Sequence, residues 1–435
     1  MTASFAPGAG LFLKQVQLLQ GPDQAPRGAD VLLHNGSIVA IGPEARRLAK
    51  EEGLEPVAAQ HWLLAPALVD PHSVLDDPLT GVAETMASLA RSAIAAGYGT
   101  VALLPQALSW RDRPERLQPQ EPTSPLQILH WGSFSRGGAG ESLAGHAEQL
   151  AAGAIGLAEA SECPPLPLLE RGLALGEMAE APLLLAPRDS SLSQDGVVRE
   201  GVAALRAGWP MDPSISETLA LQNLLALHRR YPQRRLQLMN LSTAEAVELL
   251  RSQPVAIRPE ATVCWWHLLA DSGNLDPIAE GWRVVPPLGT SADRWALQAA
   301  LADGLITAVA VHHQALDAEE HLLPLDQRKP GIAGHRFVLP CLWQELVVKA
   351  GWSVAQLWQA LCFGPAQLLG LQPPQLGVGS RHWLLFDPHC RWEASDDPLA
   401  PLAANQPLAG SRLSGRVLAA GLNPALRRWP LPVAD

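Results

Sequence analysis

Lysine is nearly missing from this chain. Lys14, Lys50, Lys329 and Lys349 are the full complement, so positive charge is carried by arginine, and any chemistry that needs a lysine elsewhere is excluded. Cysteine is sparse. Cys163, Cys264, Cys341, Cys362 and Cys390 are odd in number and widely spaced, with no C-x-x-C pair. A disulfide framework or structural cysteine–zinc site is therefore not expected, and a reducing, cytoplasmic compartment is. No run of 18 apolar residues occurs, so no membrane span is read. Met1 to Gly10 lacks a charged segment ahead of an apolar one, so no signal peptide is expected. No basic run stands out and the net charge is −11. Nucleic acid and anionic membrane are excluded as main partners.

What is present is a large apolar inventory. The 435 residues are 47% hydrophobic, and exceed the roughly 250 at which single cores stop growing. Near the start, Ala29–Leu33 and Ile38–Gly42 flank Asn35-Gly36, a hairpin with its turn. Near the end, His382–Pro388 and Leu413–Gly421 also read as strands. Between them short apolar strands follow helical stretches. Thr100–Pro105, Ala154–Leu157, Pro182–Ala186 after a helix at Leu168–Glu180, Leu236–Asn240 after one at Ser216–Tyr231, and Ile306–Val311 after Asp293–Asp303 make the pattern. Such alternation predicts an α/β fold, a TIM-like (β/α)8 barrel. An open doubly wound sheet would carry a glycine-rich phosphate loop after its first strand, and none is present. The two ends of the chain each hold too few strands for a core, so they are expected to pair as one small β-sandwich unit. The expected division is 1–64, 65–375 and 376–435. Proline-rich stretches at Pro114–Pro125 and Pro373–Gln375 read as connectors, and most of the 14 tryptophans as core.

The stretch Leu63–Val74, ending Val69-Asp70-Pro71-His72-Ser73-Val74, reads as a buried strand that stops at a histidine. With Gly97-Tyr98-Gly99-Thr100-Val101, Leu241-Ser242-Thr243, Pro286-Pro287-Leu288, Leu301-Ala302-Asp303-Gly304, Gly331-Ile332-Ala333-Gly334 and Leu385-Phe386-Asp387-Pro388, it resembles the cyclic amidohydrolases, dihydroorotases in particular. The order and spacing of these segments cover nearly the whole chain.

The resemblance implies a metal site at the ends of the barrel strands, and this sequence departs from it at most positions. The family's first strand ends His-x-His, which sets two imidazoles on one side of a strand; here the pair is His72 and Val74. The segment that carries a carboxylated lysine or an aspartate is Gly153–Glu159, without lysine, where Glu159 offers an oxygen. The next strand-end histidine is Ala186, and the one after it is Asn240. The catalytic aspartate, which binds metal and moves the proton, is His312. His72, Glu159 and His312 are therefore the candidate metal ligands. Substrate positions have changed too. The arginine that clamps a carboxylate is Asp76, the asparagine of Met-Pro-Asn is Gln106, and the asparagine before Pro286 is Val285. Gly289 and Leu316 replace a further arginine and histidine. Trp265-Trp266-His267 reads as core and loop packing, and Cys264 as a buried thiol.

Hydrolysis in the family needs a metal to activate water and a base beside it, and a catalytic zinc normally has three protein ligands. The expectation is a dihydroorotase-like protein without catalysis or cofactor. Its implied role is non-catalytic and linked to pyrimidine biosynthesis, as a partner or scaffold of aspartate carbamoyltransferase, as a homo-oligomer or both. The alternative is an active zinc-dependent amidohydrolase with a rearranged site built on His72, Glu159 and His312.

Overall fold

The computed structural model describes residues 10–78, 80–117, 124–273, 283–324 and 327–428. The amino-terminal segment 1–9 and residues 118–123 of the proline-rich connector lie outside the described residues. The chain opens with β1 (Leu11–Leu18), β2 (Arg27–His34), β3 (Ser37–Ile41), β4 (Pro56–Ala58) and β5 (Leu63–Pro66). Asn35 and Gly36 sit at φ 48° and 80°, the left-handed pair that a two-residue hairpin turn requires. A β-carbon on Gly36 would also meet the Gly421 carbonyl oxygen at 2.2 Å.

Nine strands follow through the middle of the chain: β6 (Leu68–Ser73), β7 (Tyr98–Leu103), β8 (Gln127–His130), β9 (Gly132–Ser133), β10 (Leu157–Ala158), β11 (Leu183–Leu185), then the short pair β12 (Val198–Arg199) and β13 (Met211–Asp212), and β14 (Leu236–Leu238). Next come β15 (Glu260–Cys264) and β16 (Ala308–Ala310). Trp131 alone separates β8 from β9. It donates its backbone N–H to Leu103 while Gly132 donates to Gly156, so β8 and β9 act as one strand passed from one neighbour to the next. Counted so, the described residues hold eight parallel barrel positions, β6, β7, β8–β9, β10, β11, β14, β15 and β16. The helix after β10 runs Leu166–Leu175 and stops at Gly176, φ 66°. It is shorter than the hydrophobic pattern suggests because glycine takes the left-handed cap at no steric cost.

The seam between β16 and β6 is closed in an unusual way. Pro71 has no N–H to give a ladder, and the β6–β7 register shifts between Asp70 and Ser73. Side chains do the joining instead. Asp70 Oδ1 accepts from Val311 N at 3.0 Å and Ser73 Oγ from His313 N at 2.9 Å. The backbone adds His312 N to His72 O at 3.1 Å and Val74 N to His313 O at 2.7 Å.

The chain ends share one sheet. β17 (Trp383–Glu393) pairs with β5 and with β18 (Arg412–Ala420), giving the order β18-β17-β5-β1-β2-β3, with β4 on β1. The sheet folds back on itself. Trp383 Nε1 donates to the Gly36 carbonyl at 2.9 Å, and Leu13, Val31 and Ile38 share a cluster with Trp383, Leu385 and Leu418. The helix Pro43–Glu51 covers the other face with Ala45 and Ala49 on Phe12, Leu32 and Ala40.

Candidate functional site

His72 is the penultimate residue of β6, and the alternation of side chains along the strand turns its ring inside the barrel. It is fully buried. Nε2 lies 2.9 Å from Thr262 Oγ1 on β15, and Nδ1 lies 3.1 Å from Nδ1 of His312, two residues beyond β16. The two imidazoles meet edge to face, with centroids 5.1 Å apart. Burial holds both rings neutral: His72 is pushed well below its ordinary value and His312 down to about 4. Thr262 Oγ1 also accepts the backbone N–H of Asn240 at 2.9 Å. Asn240 and His312 both occupy left-handed backbone, φ 55° and 47°, a region in which asparagine and histidine are enriched among non-glycine residues.

The adjacent His313 points the other way. Its ring lies 3.6 Å from Glu84 and, with centroids 5.0 Å apart, is tilted against that of His335, whose Nε2 donates to Asp70 Oδ2 at 3.0 Å. Neither ring nitrogen of His313 has a hydrogen-bond partner.

Of the three candidate ligands, the structure brings together His72 and His312. Glu159 is engaged by Ser135, whose N–H and hydroxyl donate to its two oxygens at 3.0 and 2.9 Å. Burial raises its carboxyl to about 7. Val74 and Ala186 are buried and apolar, and the Asn240 amide oxygen has no partner. Among the described residues no group of three or more His, Cys, Asp or Glu side chains is placed to hold a metal ion. The donors present do not suit the metal that the resemblance implies. A metal-bound imidazole offers one nitrogen to the ion and the other N–H to an outer acceptor, whereas both nitrogens of His72 are taken, one by a hydroxyl and one by a second ring.

Of the substrate positions, Asp76 alone borders a cavity among the described residues. Asp76 is half-buried and borders a cavity of about 220 Å³ together with Val74, Asp77, Glu84, Gln314 and Asp317. Burial raises its carboxyl, against the pull of Lys329 and Arg111. Gln106 offers its carbonyl to Arg111 Nη1 at 3.4 Å, and Val285 is half-buried. The buried Arg111 further ties Leu104 O at 2.8 Å and Leu75 O at 3.3 Å. Trp265 and Cys264 are buried as expected of packing residues, the thiol pushed up to about 12.

Thr262, His335 and Arg111 escape sequence reasoning, and Asp70 enters it only as part of a framework segment. A threonine inside Glu260–Cys264 is an ordinary strand former and carries no signal of its own.

No protein-family model matches the chain. A protein described as a "probable dihydroorotase-like protein" from Synechocystis is 34% identical over 423 residues, covering 89% of this chain and 94% of its own. A dihydroorotase-like protein from Pseudomonas aeruginosa is 28% identical over 396 residues, with 89% and 92% covered. A dihydroorotase from Sulfurihydrogenibium is 28% identical over 399 residues, also with 89% and 92% covered. Among solved structures, L-hydantoinase (dihydropyrimidinase) from Arthrobacter aurescens superposes with a TM-score of 0.75 at 18% identity over 94% of this chain and 93% of that one.

Proposed function

The chain belongs to the dihydroorotase family of cyclic amidohydrolases, and we propose from this premise that it neither opens nor closes the dihydroorotate ring and serves pyrimidine biosynthesis without catalysis. The observation that carries the reading is the closed state of His72. Its two nitrogens are bonded to Thr262 and His312, so the one histidine retained from the metal signature has no lone pair to spare. With Val74, Ala186 and Asn240 at the other ligand positions, no group lowers the pKa of a water to near 7. Asp76 puts a carboxylate where the family clamps one, and like charges in a partly desolvated mouth repel.

The role proposed is that of a partner or scaffold of aspartate carbamoyltransferase in the cytoplasm, where the five unpaired thiols are stable. The test follows interconversion of carbamoyl aspartate and dihydroorotate with added zinc, by the purified chain alone and then with aspartate carbamoyltransferase. No turnover is expected from the chain alone. A complex of defined stoichiometry in sedimentation is expected with the transferase. Turnover abolished by His312→Ala would mean that His312 acts as the base and that the site is rebuilt rather than silent.

A further inference from the structure

His72, His312, Thr262 and Asn240 form a chain whose direction can be deduced atom by atom. The Thr262 hydroxyl accepts the Asn240 N–H. That hydroxyl has one hydrogen to give, and among the hydrogen bonds of the described residues the only acceptor within its reach is His72 Nε2, 2.9 Å away. Nε2 therefore accepts. A neutral imidazole carries one N–H, so that of His72 is on Nδ1, which faces Nδ1 of His312 at 3.1 Å. His312 accepts there and carries its own proton on Nε2. We propose that this one-way chain fastens the end of the barrel, with a proton between the two imidazoles standing where the family would hold its metal.

The chain joins four strands. Asn240 follows β14, Thr262 lies on β15, His72 on β6, and His312 follows β16. Its two terminal residues are the ones in left-handed backbone. Such conformations persist where the surroundings over-determine them, and here each is pinned by its own backbone N–H, to Thr262 Oγ1 and to the His72 carbonyl. A metal entering at His72 would have to displace the hydroxyl or the second ring and leave a buried polar group unpaired. The inference rests on the same reading of the site as the proposed function, and it adds the position of each proton.

Histidine-selective 15N nuclear magnetic resonance on the full chain tests it. The expected spectrum has His72 protonated on Nδ1 and bare on Nε2, His312 the reverse, and neither moves on addition of EDTA or of one equivalent of zinc chloride. Thr262→Ser keeps this pattern, whereas Thr262→Val removes the donor to Nε2 and redistributes the His72 proton between the two nitrogens. His72 protonated on Nε2 in the unmodified protein would overturn the inference. So would joint shifts of His72 and His312 with zinc. Turnover of dihydroorotate with the tautomers as described would remove the functional proposal alone, and the opposite tautomers in a silent protein would remove this one alone.

Discussion

Around Arg199 the barrel end is held by formal charge; the His72 ring itself is held by neutral groups. Arg199 is buried, with Nη1 on Asp212 at 2.9 Å and Ser216 at 2.8 Å, and Nη2 on Glu217 and Ser242, both at 3.0 Å. Arg188 adds a bond to the second oxygen of Asp212 at 3.2 Å. The two guanidinium groups thus meet Asp212 and Glu217, with Glu162 3.9 Å from Arg188, and opposite charges are paired within one cluster. The direct partners of His72 are a hydroxyl and an imidazole, with no counter-charge among them. At Arg199 the complement of the buried charge is built alongside it. A divalent ion at His72 would find no such complement among the groups that ring contacts directly.

The comparison can be broken from the charged side first. Arg199→Leu leaves Asp212 and Glu217 buried without their cation, and is expected to cost on the order of 3–5 kcal/mol in denaturant unfolding. Replacing Arg199, Asp212 and Glu217 together by apolar residues should cost less than the single change. A single-variant loss under about 1 kcal/mol would show that the charges are not what holds this side.

Acid should act on the neutral side. Burial brings His130, His267 and His312 each down to about 4, below the ordinary 6.5. The folded state keeps them neutral while the unfolded chain takes up protons. Their contribution is therefore full above pH 6.5 and is lost as pH falls from 6.5 toward 4, by at most about 1.4 kcal/mol per pH unit for each. Thermal melts between pH 7 and 5 read this directly, and a Tm flat across that range would refute it.

Cutting the relay itself is a smaller step. His312→Asn keeps a residue suited to positive φ but removes the second ring, and should cost about 1–3 kcal/mol, the penalty of an unsatisfied buried donor. EDTA should change the Tm of neither form. The smallest effect belongs to Glu159. Its folded value of about 7 lies above the ordinary 4.5, so its contribution is present below pH 4.5 and is lost as pH rises through 7, opposite in sign to the histidines. Glu159→Gln should flatten stability between pH 6 and 8 by about 1 kcal/mol; an unchanged slope would assign that dependence to another group.

Legibility in the sequence follows the range of the interaction. The Asn35-Gly36 hairpin and the strand ending at His72 depend on neighbours a few residues away, and both were readable. So was the sharing of one sheet by the two chain ends, since neither could bury a core by itself. The meeting of His72 with His312 was open to inference because both occupy strand ends at one barrel mouth. What could not be read was the third partner. Thr262 lies 190 residues from His72, and its hydroxyl matters only because the barrel turns it inward. The Arg199 cluster draws on residues 13 to 43 positions away, each ordinary in its local context. Glu159 shows the converse: it stands at a ligand position by resemblance, yet the nearby loop supplies Ser135 to occupy both of its oxygens.

The seam closed by Asp70 and Ser73 bears on how such a chain tolerates change. These two side chains reach Val311 and His313 directly, and His335 steadies Asp70 from behind. This part of the fastening lies beside positions 74 and 186 rather than through them. Val74 and Ala186 bring no polar side chain to the seam, so a change of side chain at either leaves the bonds of Asp70 and Ser73 in place.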